Sequence, residues 1–339
     1  MKTIETIFNL QLFAGNMNTN ITTAWNESKQ AYDAGALSPE MKVYYSDYLI
    51  DNAVPKLVHD QFGQKHPIPK NGGKVIEFRK YSPLPKLLTA LTEGVTPDGQ
   101  SLSVSTITAS VAQYGGYVTL SDMLMLTAID NNLVQATKLL GAQAGATLDT
   151  ITREVLVGGT NVVYSGGKSA RSALTATDVL KVDDIKKAVR ALKNQNAEKI
   201  GNSYVAIIHP DVAYDLMNDD AWENVKQYDP SDWYEGEIGR IAGVRFVETT
   251  EAKIFAKAGA NSQAVYATLV FGDNAYGVTE IEGGGLQHIV KQLGSAGTAD
   301  ALDQRATVGW KATKVAERLV EQFMVRIESG CTFNPTEGN

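Results

Sequence analysis

Gly166, Gly167, Lys168 and Ser169 are the residue types that cradle a nucleotide phosphate. A phosphate-binding loop also requires a glycine five residues before Gly167, and that position is Val162. No clear strand precedes the segment and no strong helix follows it, so it reads as a flexible surface loop. Ser165 and Lys168 have the Ser-x-x-Lys spacing, but that pairing needs a helical turn, which the two glycines between them oppose. The histidines His59, His66, His209 and His288 are scattered, and no cysteine pair supports a zinc site. His209, just before Pro210, is expected to satisfy backbone groups at a helix start. Asp183 and Asp184 suit a helix N-terminus better than a metal, and Asp219 and Asp220 read as a solvated turn. The single cysteine, Cys331, can form no internal disulfide and reads as an incidental small residue. Neither a Gly-x-Ser-x-Gly motif nor a dinucleotide fingerprint occurs. Catalytic, cofactor-binding and metal sites are therefore all expected to be absent.

The aromatic residues Trp222, Tyr228, Trp233 and Tyr234 gather with Asp229, Pro230 and Asp232. Such a loop at 222–243 could bind a sugar or serve an enzyme, or plug its own domain. Contact with another protein chain is the favoured reading, since aromatic residues are enriched in interface cores. Gly236, Gly239 and Gly243 let the backbone turn closely here. Ile238 and Ile241 are apolar residues in a loop expected to be exposed, with Arg240 between them. Val244, Phe246 and Val247 then read as a strand.

The elements that must carry these residues are those of a folded chain. Over 339 residues, 43% are apolar and 20% charged, enough for one large or two modest domains. A net charge of −7 argues against nucleic-acid binding as the main function, and basic residues form no dense run. No run of about 18 apolar residues predicts a membrane span. Glu5, Asn9 and Gln11 interrupt the apolar N-terminus, so a signal peptide is not expected. Ile7, Phe8, Leu10, Leu12 and Phe13 instead read as anchors of an arm that orders against a neighbour.

A helical reading covers Ile21 to about Asp60, with Pro55 as a kink. Lys74–Tyr81 and Ser103–Leu120 form the two sides of a long ribbon, joined through the turn signal Thr96-Pro-Asp-Gly99. An isolated ribbon is marginal in water, so it needs another surface to lie on. Leu87, Leu88, Leu91 and Glu93 occupy that stretch. Ser121 and Asp122 can cap a helix, with a break at Asp130–Asn132. Leu133, Ala136, Leu140, Ala144, Leu148, Ile151 and Val155 then recur at helical spacing until Gly158 and Gly159 end the helix. Further helices are predicted at Val182–Leu192 and Pro210–Met217. Strands are predicted at Tyr204–Ile208, Val244–Glu248, Ala264–Phe271, Leu286–Leu293, Thr307–Lys311 and Phe323–Glu328. Helix and strand mix without a regular βαβ repeat, which favours an α+β fold.

The run from Gly236 to Thr249 resembles a hallmark of tailed-bacteriophage major capsid proteins, in the family typified by the coat protein of phage N4. Asn9–Ala14, Leu57–Lys65, Pro67–Asn71, Gly73–Arg79, Ser82–Pro85, Leu91–Pro97, Asp303–Lys311 and Met324–Ser329 extend the resemblance over nearly the whole chain. It implies a Hong-Kong-97-like fold: an N-terminal arm (1–40), a peripheral domain (41–73 and 117–175) with a long spine helix, and an extended loop (74–116). An axial domain (176–300) and closing strands with a tail (301–339) complete it.

The resemblance further implies a structural protein, not an enzyme, that self-assembles as hexamers and pentamers into an icosahedral shell around double-stranded DNA. The DNA would be held without sequence-specific binding. Scaffolding, portal and decoration proteins are possible partners, and no membrane is. The location implied is the virion capsid, assembled in the bacterial host cytoplasm. A bacterial nanocompartment shell is the alternative within the same fold. Phe8, Leu10, Phe13, Leu87, Leu88, Leu91, Glu93, Trp233, Tyr234, Ile238, Arg240 and Ile241 are the candidate inter-subunit contacts. Lys86 in the loop could in principle crosslink to an asparagine, but no partner asparagine or catalytic glutamate is identified.

Overall fold

The structure is a computed structural model. It describes residues 17–18, 25–26, 31–32, 58–81, 84–90, 93–94, 96, 98–128, 132–222, 239–282, 284–295, 300–335 and 337–339. Along the chain run β1 (Met17–Asn18), β2 (Trp25–Asn26), β3 (Ala31–Tyr32), β4 (Gln64–Lys65), β5 (Val75–Tyr81), β6 (Val104–Ser110) and β7 (Ala112–Ser121). The helices α1 (Asp122–Thr127) and α2 (Asn132–Val157) follow, then β8 (Val162–Tyr164), α3 (Val182–Asn194), β9 (Tyr204–Ile208) and α4 (Pro210–Met217). The remaining strands are β10 (Arg240–Ile241), β11 (Val244–Glu248), β12 (Ile254–Phe255), β13 (Val265–Phe271), β14 (Tyr276–Thr279), β15 (Gln287–Lys291), β16 (Arg305–Arg318) and β17 (Met324–Ser329). The architecture is mixed α+β.

Two compact units share the chain. One comprises residues 1–54, 113–145 and 285–312, the other 55–112, 146–284 and 313–339. In the first, β7 lies between β1 and the first half of β16, and β15 pairs antiparallel with β16 from Gln287 opposite Lys311 to Lys291 opposite Thr307. β7 and β16 approach closely, because a Cβ on Gly115 would stand 2.7 Å from the Trp310 carbonyl oxygen. Leu120, Leu124, Leu140, Ala144, Val308 and Trp310 are buried here. Ser121 caps α1 as expected, its hydroxyl accepting from the Leu124 N–H at 3.2 Å.

The second unit is built on a seven-stranded sheet in the order β10-β11-β9-β13-β17-β8, with β12 on β13. β9 and β11 are parallel, β13 runs antiparallel to both β9 and β17, and β8 is parallel to β17. Every residue of β9, β13 and β17 is buried. The pleat divides them: Tyr204, Ala206, Ile208, Val270 and Ile327 share a core with α3 and α4. Val205, Ile207, Leu269, Phe271 and Met324 share another with Val58, Leu156, Val157 and Tyr276. Burying each large side chain contributes about 1.5–3 kcal/mol.

α3 buries Val182, Ile185, Ala188, Val189 and Leu192, one stripe of an amphipathic helix. Its first N–H, that of Val182, donates to Asp219 Oδ2 at 2.9 Å. Asp219 is therefore a tertiary helix cap, not the solvated turn expected. α2 ends at Val157, directly before Gly158 and Gly159. Its last carbonyls accept from arginines: Val155 O from Arg318 Nη1 at 2.5 Å, and Val157 O from Arg326 Nη1. Two cations at a helix C-terminus satisfy orphan carbonyls and oppose the negative end of the dipole.

Four further expectations need correction. A short strand, β8, directly precedes Ser165, where none was expected. Trp25–Asn26 and Ala31–Tyr32 pair as antiparallel strands within the segment expected to be helical. The return side of the ribbon is two strands, β6 and β7, separated at Val111. The second half of α2 buries Asp149, Thr152 and Arg153 on its inner face, while Leu148, Ile151 and Val155 are only half-buried.

Candidate interaction surfaces

β5 and β6 pair antiparallel from Val75 opposite Ser110 to Tyr81 opposite Val104. Seven residues per strand give an arm about 23 Å long at ~3.3 Å per residue. Most of both strands is exposed, and the described residues between them, 84–90, 93–94, 96 and 98–103, belong to its outer loop. There Leu87 is 76% and Leu88 90% exposed, and Leu84, Leu102, Tyr81 and Val104 are exposed too. Glu93 is also exposed. A branched aliphatic side chain this open forgoes the burial that stabilises the rest of the unit. Several on one arm make a patch suited to another surface.

The arm's root is firmly seated. The Phe78 ring lies 3.1 Å from where a Gly277 Cβ would stand, so a larger residue there would press on the ring. His66 meets Phe78 edge-on at 6.0 Å between ring centres. Val111 N–H donates to Lys74 O at 2.8 Å, and Ala109 and Val111 are buried. The chain entering the root is held by α2. Asp149 Oδ1 accepts from the Val58 and His59 N–H groups at 3.1 and 2.8 Å, and Oδ2 lies 2.6 Å from His59 Nδ1. Burial alone would raise the Asp149 pKa. The hydrogen bonds and charge of His59, with the Val58 amide, outweigh it and hold the carboxyl below its ordinary value. Beside it, Asp60 accepts from Thr152 Oγ1 at 2.5 Å and pairs with Lys314. Lys314 also donates to Leu148 O at 2.8 Å; burial pulls its pKa down, against the opposing pull of Asp60. Tyr276 O–H donates to the His59 carbonyl.

Of the other candidate contacts, Arg240 is exposed and Ile241 is not. Ile241 is 7% exposed and belongs to the core shared by α3 and α4. Arg240 and Ile241 pair with Arg245 and Val244 across a two-residue turn, with Ala242 at φ 51° and Gly243 at φ 80°. Both central residues have positive φ, the geometry of the tight hairpin turn that matches strand twist. The hairpin faces Ile241 inward beside Val244, which overturns its expected exposure. Trp222 is likewise buried, edge-on to Phe246 at 6.0 Å, so this part of the aromatic cluster fills its own unit. Phe8, Leu10, Phe13, Leu91, Trp233, Tyr234 and Ile238 lie outside the described residues, as does most of the expected arm.

The second unit also exposes an aromatic pair that the sequence reading passed over. Tyr214 and Phe333 are 52% and 47% exposed and meet at 5.6 Å. In the first unit Met123, Met125 and Leu126 of the six-residue α1 are exposed, as are Leu139, Leu286 and Leu302. Exposed apolar side chains on a helix this short were a legible signal.

The residues that could do chemistry are occupied structurally. His209 caps α4, its Nδ1 accepting from the Asp211 N–H at 3.2 Å. Asp183 and Asp184 both bind Lys187, at 2.8 and 3.0 Å. Lys168 lies 3.7 Å from Asp178, which also caps the Thr175 turn. Cys331 is buried, and burial with the Asp215 hydrogen bond pushes its thiol up to about 12, so it is a poor nucleophile. Among the described residues no cluster of histidine, cysteine and carboxylate could hold a metal ion, and no helix is long and apolar enough to cross a membrane. Glu328, fully buried, takes Arg171 in a two-pronged contact at 2.6 and 2.7 Å and Arg326 at 2.7 Å, a network that stitches β17 to the adjoining loop.

The phage capsid protein family model matches residues 104–318. No curated protein matches the chain. Among solved structures, the capsid of cyanophage Pam1 is similar with a TM-score of 0.68 at 15% identity, over 89% of this chain and 100% of that one. The capsid of Ralstonia phage GP4 aligns with a TM-score of 0.67 at 16% identity, over 89% and 99% of the two chains. That of cyanophage P-SCSP1u does so with a TM-score of 0.67 at 13% identity, over 84% and 92%.

Proposed function

Because the chain belongs to the phage capsid protein family, we propose that it is the repeating wall of a closed head, with hexamers and pentamers tiling an icosahedral shell around double-stranded DNA. It is a structural protein of the virion capsid, not an enzyme, and its fold is the Hong-Kong-97-like capsid fold. Within the family we place it in the group typified by phage N4, on the Gly236–Thr249 run. We assign the arm to 1–40, the peripheral domain to 41–73 and 117–175, the extended loop to 74–116, the axial domain to 176–300 and the closing segment to 301–339. Assembly takes place in the host cytoplasm. Scaffolding, portal and decoration proteins complete the head.

The observation that carries this reading is the ribbon. It leaves Leu87 and Leu88 open on an arm whose root is fixed. A neighbouring copy that covers them supplies the missing burial. Repeated around a ring, such a contact is heterologous: one patch meets a different patch on the next copy. Each contact can be weak because several neighbours hold every subunit. Electron microscopy of the purified chain, with light scattering, tests it. Shells, or rings of five and six, are expected. A chain that stays monomeric at every concentration, alone and in the host lysate, overturns it.

A further inference from the structure

α3 carries a basic stripe on a chain whose net charge is −7. Val182, Ile185, Ala188, Val189 and Leu192 face the core, which leaves Lys186, Arg190 and Lys193 exposed at i, i+4 and i+7. These three share one face of the helix and span roughly 10 Å at ~1.5 Å per residue. Among the described residues their side chains form no hydrogen bond or ion pair, although Lys186, after the bonded Lys187, helps hold the Asp183 carboxyl below its ordinary value. Lys187 beside them is already matched by Asp183 and Asp184. Lys181 and Lys199 flank the stripe, and Glu198 is the acidic residue at its far end.

We propose that this face of α3 is the surface that meets the phosphate backbone of packaged double-stranded DNA. The inference rests on the shell reading above. Charge complementarity selects a polyanion. The character of the face selects nucleic acid over an acidic protein: no large apolar side chain of residues 181–199 is exposed, and the exposed Tyr214–Phe333 pair lines a hollow with Lys181 but not with Lys186, Arg190 or Lys193. A protein partner needs aromatic or aliphatic anchors in a desolvated centre, whereas phosphate contacts need only cations. Three contacts make a weak, sequence-independent hold that lets a container release its contents. Sequence reading missed the stripe because the three cations are spread over eight positions, and only the helix brings them onto one line.

The test is fluorescence anisotropy of a labelled DNA duplex with the full chain at several salt concentrations. Three phosphate contacts give a log–log slope of about −2.7, so affinity falls roughly 40-fold between 50 and 200 mM salt. Lys186→Ala, Arg190→Ala and Lys193→Ala together should remove that salt-dependent binding, while Lys186→Arg with Lys193→Arg keeps it. Alanine is a good helix former, so α3 persists in the variant, and circular dichroism checks that it does. Lys65→Ala with Lys70→Ala, which neutralises exposed lysines elsewhere, should leave the slope unchanged. An unchanged slope in the triple variant, equal loss in the control, or tighter binding of polyglutamate than of DNA overturns the proposal. Shells formed by the triple variant separate the two readings. If they form while the slope is unchanged, the DNA contact is wrong and the shell stands. If the unaltered chain forms none, the shell reading itself has failed.

Discussion

The seven-stranded sheet and the ribbon belong to the same unit and use the same strand geometry, yet they differ in what they bury. β9, β13 and β17 are buried along their whole length, with apolar side chains committed to both faces. β5 and β6 pair only with each other, while β9, β13 and β17 each have a neighbour on both sides, and the ribbon leaves most side chains in water. Backbone pairing is thus halved in the ribbon, and apolar burial is nearly absent from it. The sheet carries its own stabilisation, and the ribbon must take it from elsewhere. Among the ribbon's described residues, full burial is confined to Ala109 and Val111 at its root, with Phe78 half-buried beside them.

The largest expected effect is on assembly. Leu87→Asp with Leu88→Asp should abolish shells seen by electron microscopy while shifting the unfolding free energy by less than about 0.5 kcal/mol. A comparable loss of folding stability would break the contrast, making the ribbon part of the monomer's core. Next comes the sheet. Phe271→Ala should cost about 3–5 kcal/mol in urea denaturation, because its cavity opens beside Phe62 and Tyr276. Glu328→Gln should cost about 3 kcal/mol, since it leaves Arg326 buried without its carboxylate. A near-neutral result would mean that the arginines find other partners.

The smallest effect sharpens the comparison at the root. Asp149 has a folded pKa below its unfolded value, so its stabilisation is full above the unfolded pKa. That stabilisation drains as pH falls through the folded value. Amide exchange at Val58 and His59 should therefore speed up on acidification below pH 4, before exchange in β13 does, and Asp149→Asn should flatten the pH dependence. Simultaneous loss of protection in both regions would show that root and sheet unfold as one.

Much of the fold was legible because it rests on periodicity. Tyr204–Ile208 and Val265–Phe271 are apolar runs too short for helices, and α3 displays one apolar face. β16 was read as five residues but spans Arg305–Arg318. Its period-two pattern passes through Ala306, Ala312, Lys314 and Ala316, and alanine and lysine give little hydrophobic signal. The inner face of α2 was misread for a related reason. Asp149, Thr152 and Arg153 are buried because partners distant in sequence, at Val58–Asp60 and Glu251, satisfy them. Ile241 was expected outside because Ala242-Gly243 lacks the Asn-Gly signature of the turn it makes.

The sequence by itself determined the α+β class, the apolar strands, the family resemblance and the lack of spacing suited to catalysis, since all of these depend on residue order and local propensity. Tertiary structure decided which apolar residues stay open. Leu87 and Ile241 are both aliphatic residues in segments expected to be exposed, and only the folded chain places one in water and the other in the core. Burial depends on neighbours from elsewhere in the chain, and local sequence carries no record of where those neighbours come to rest.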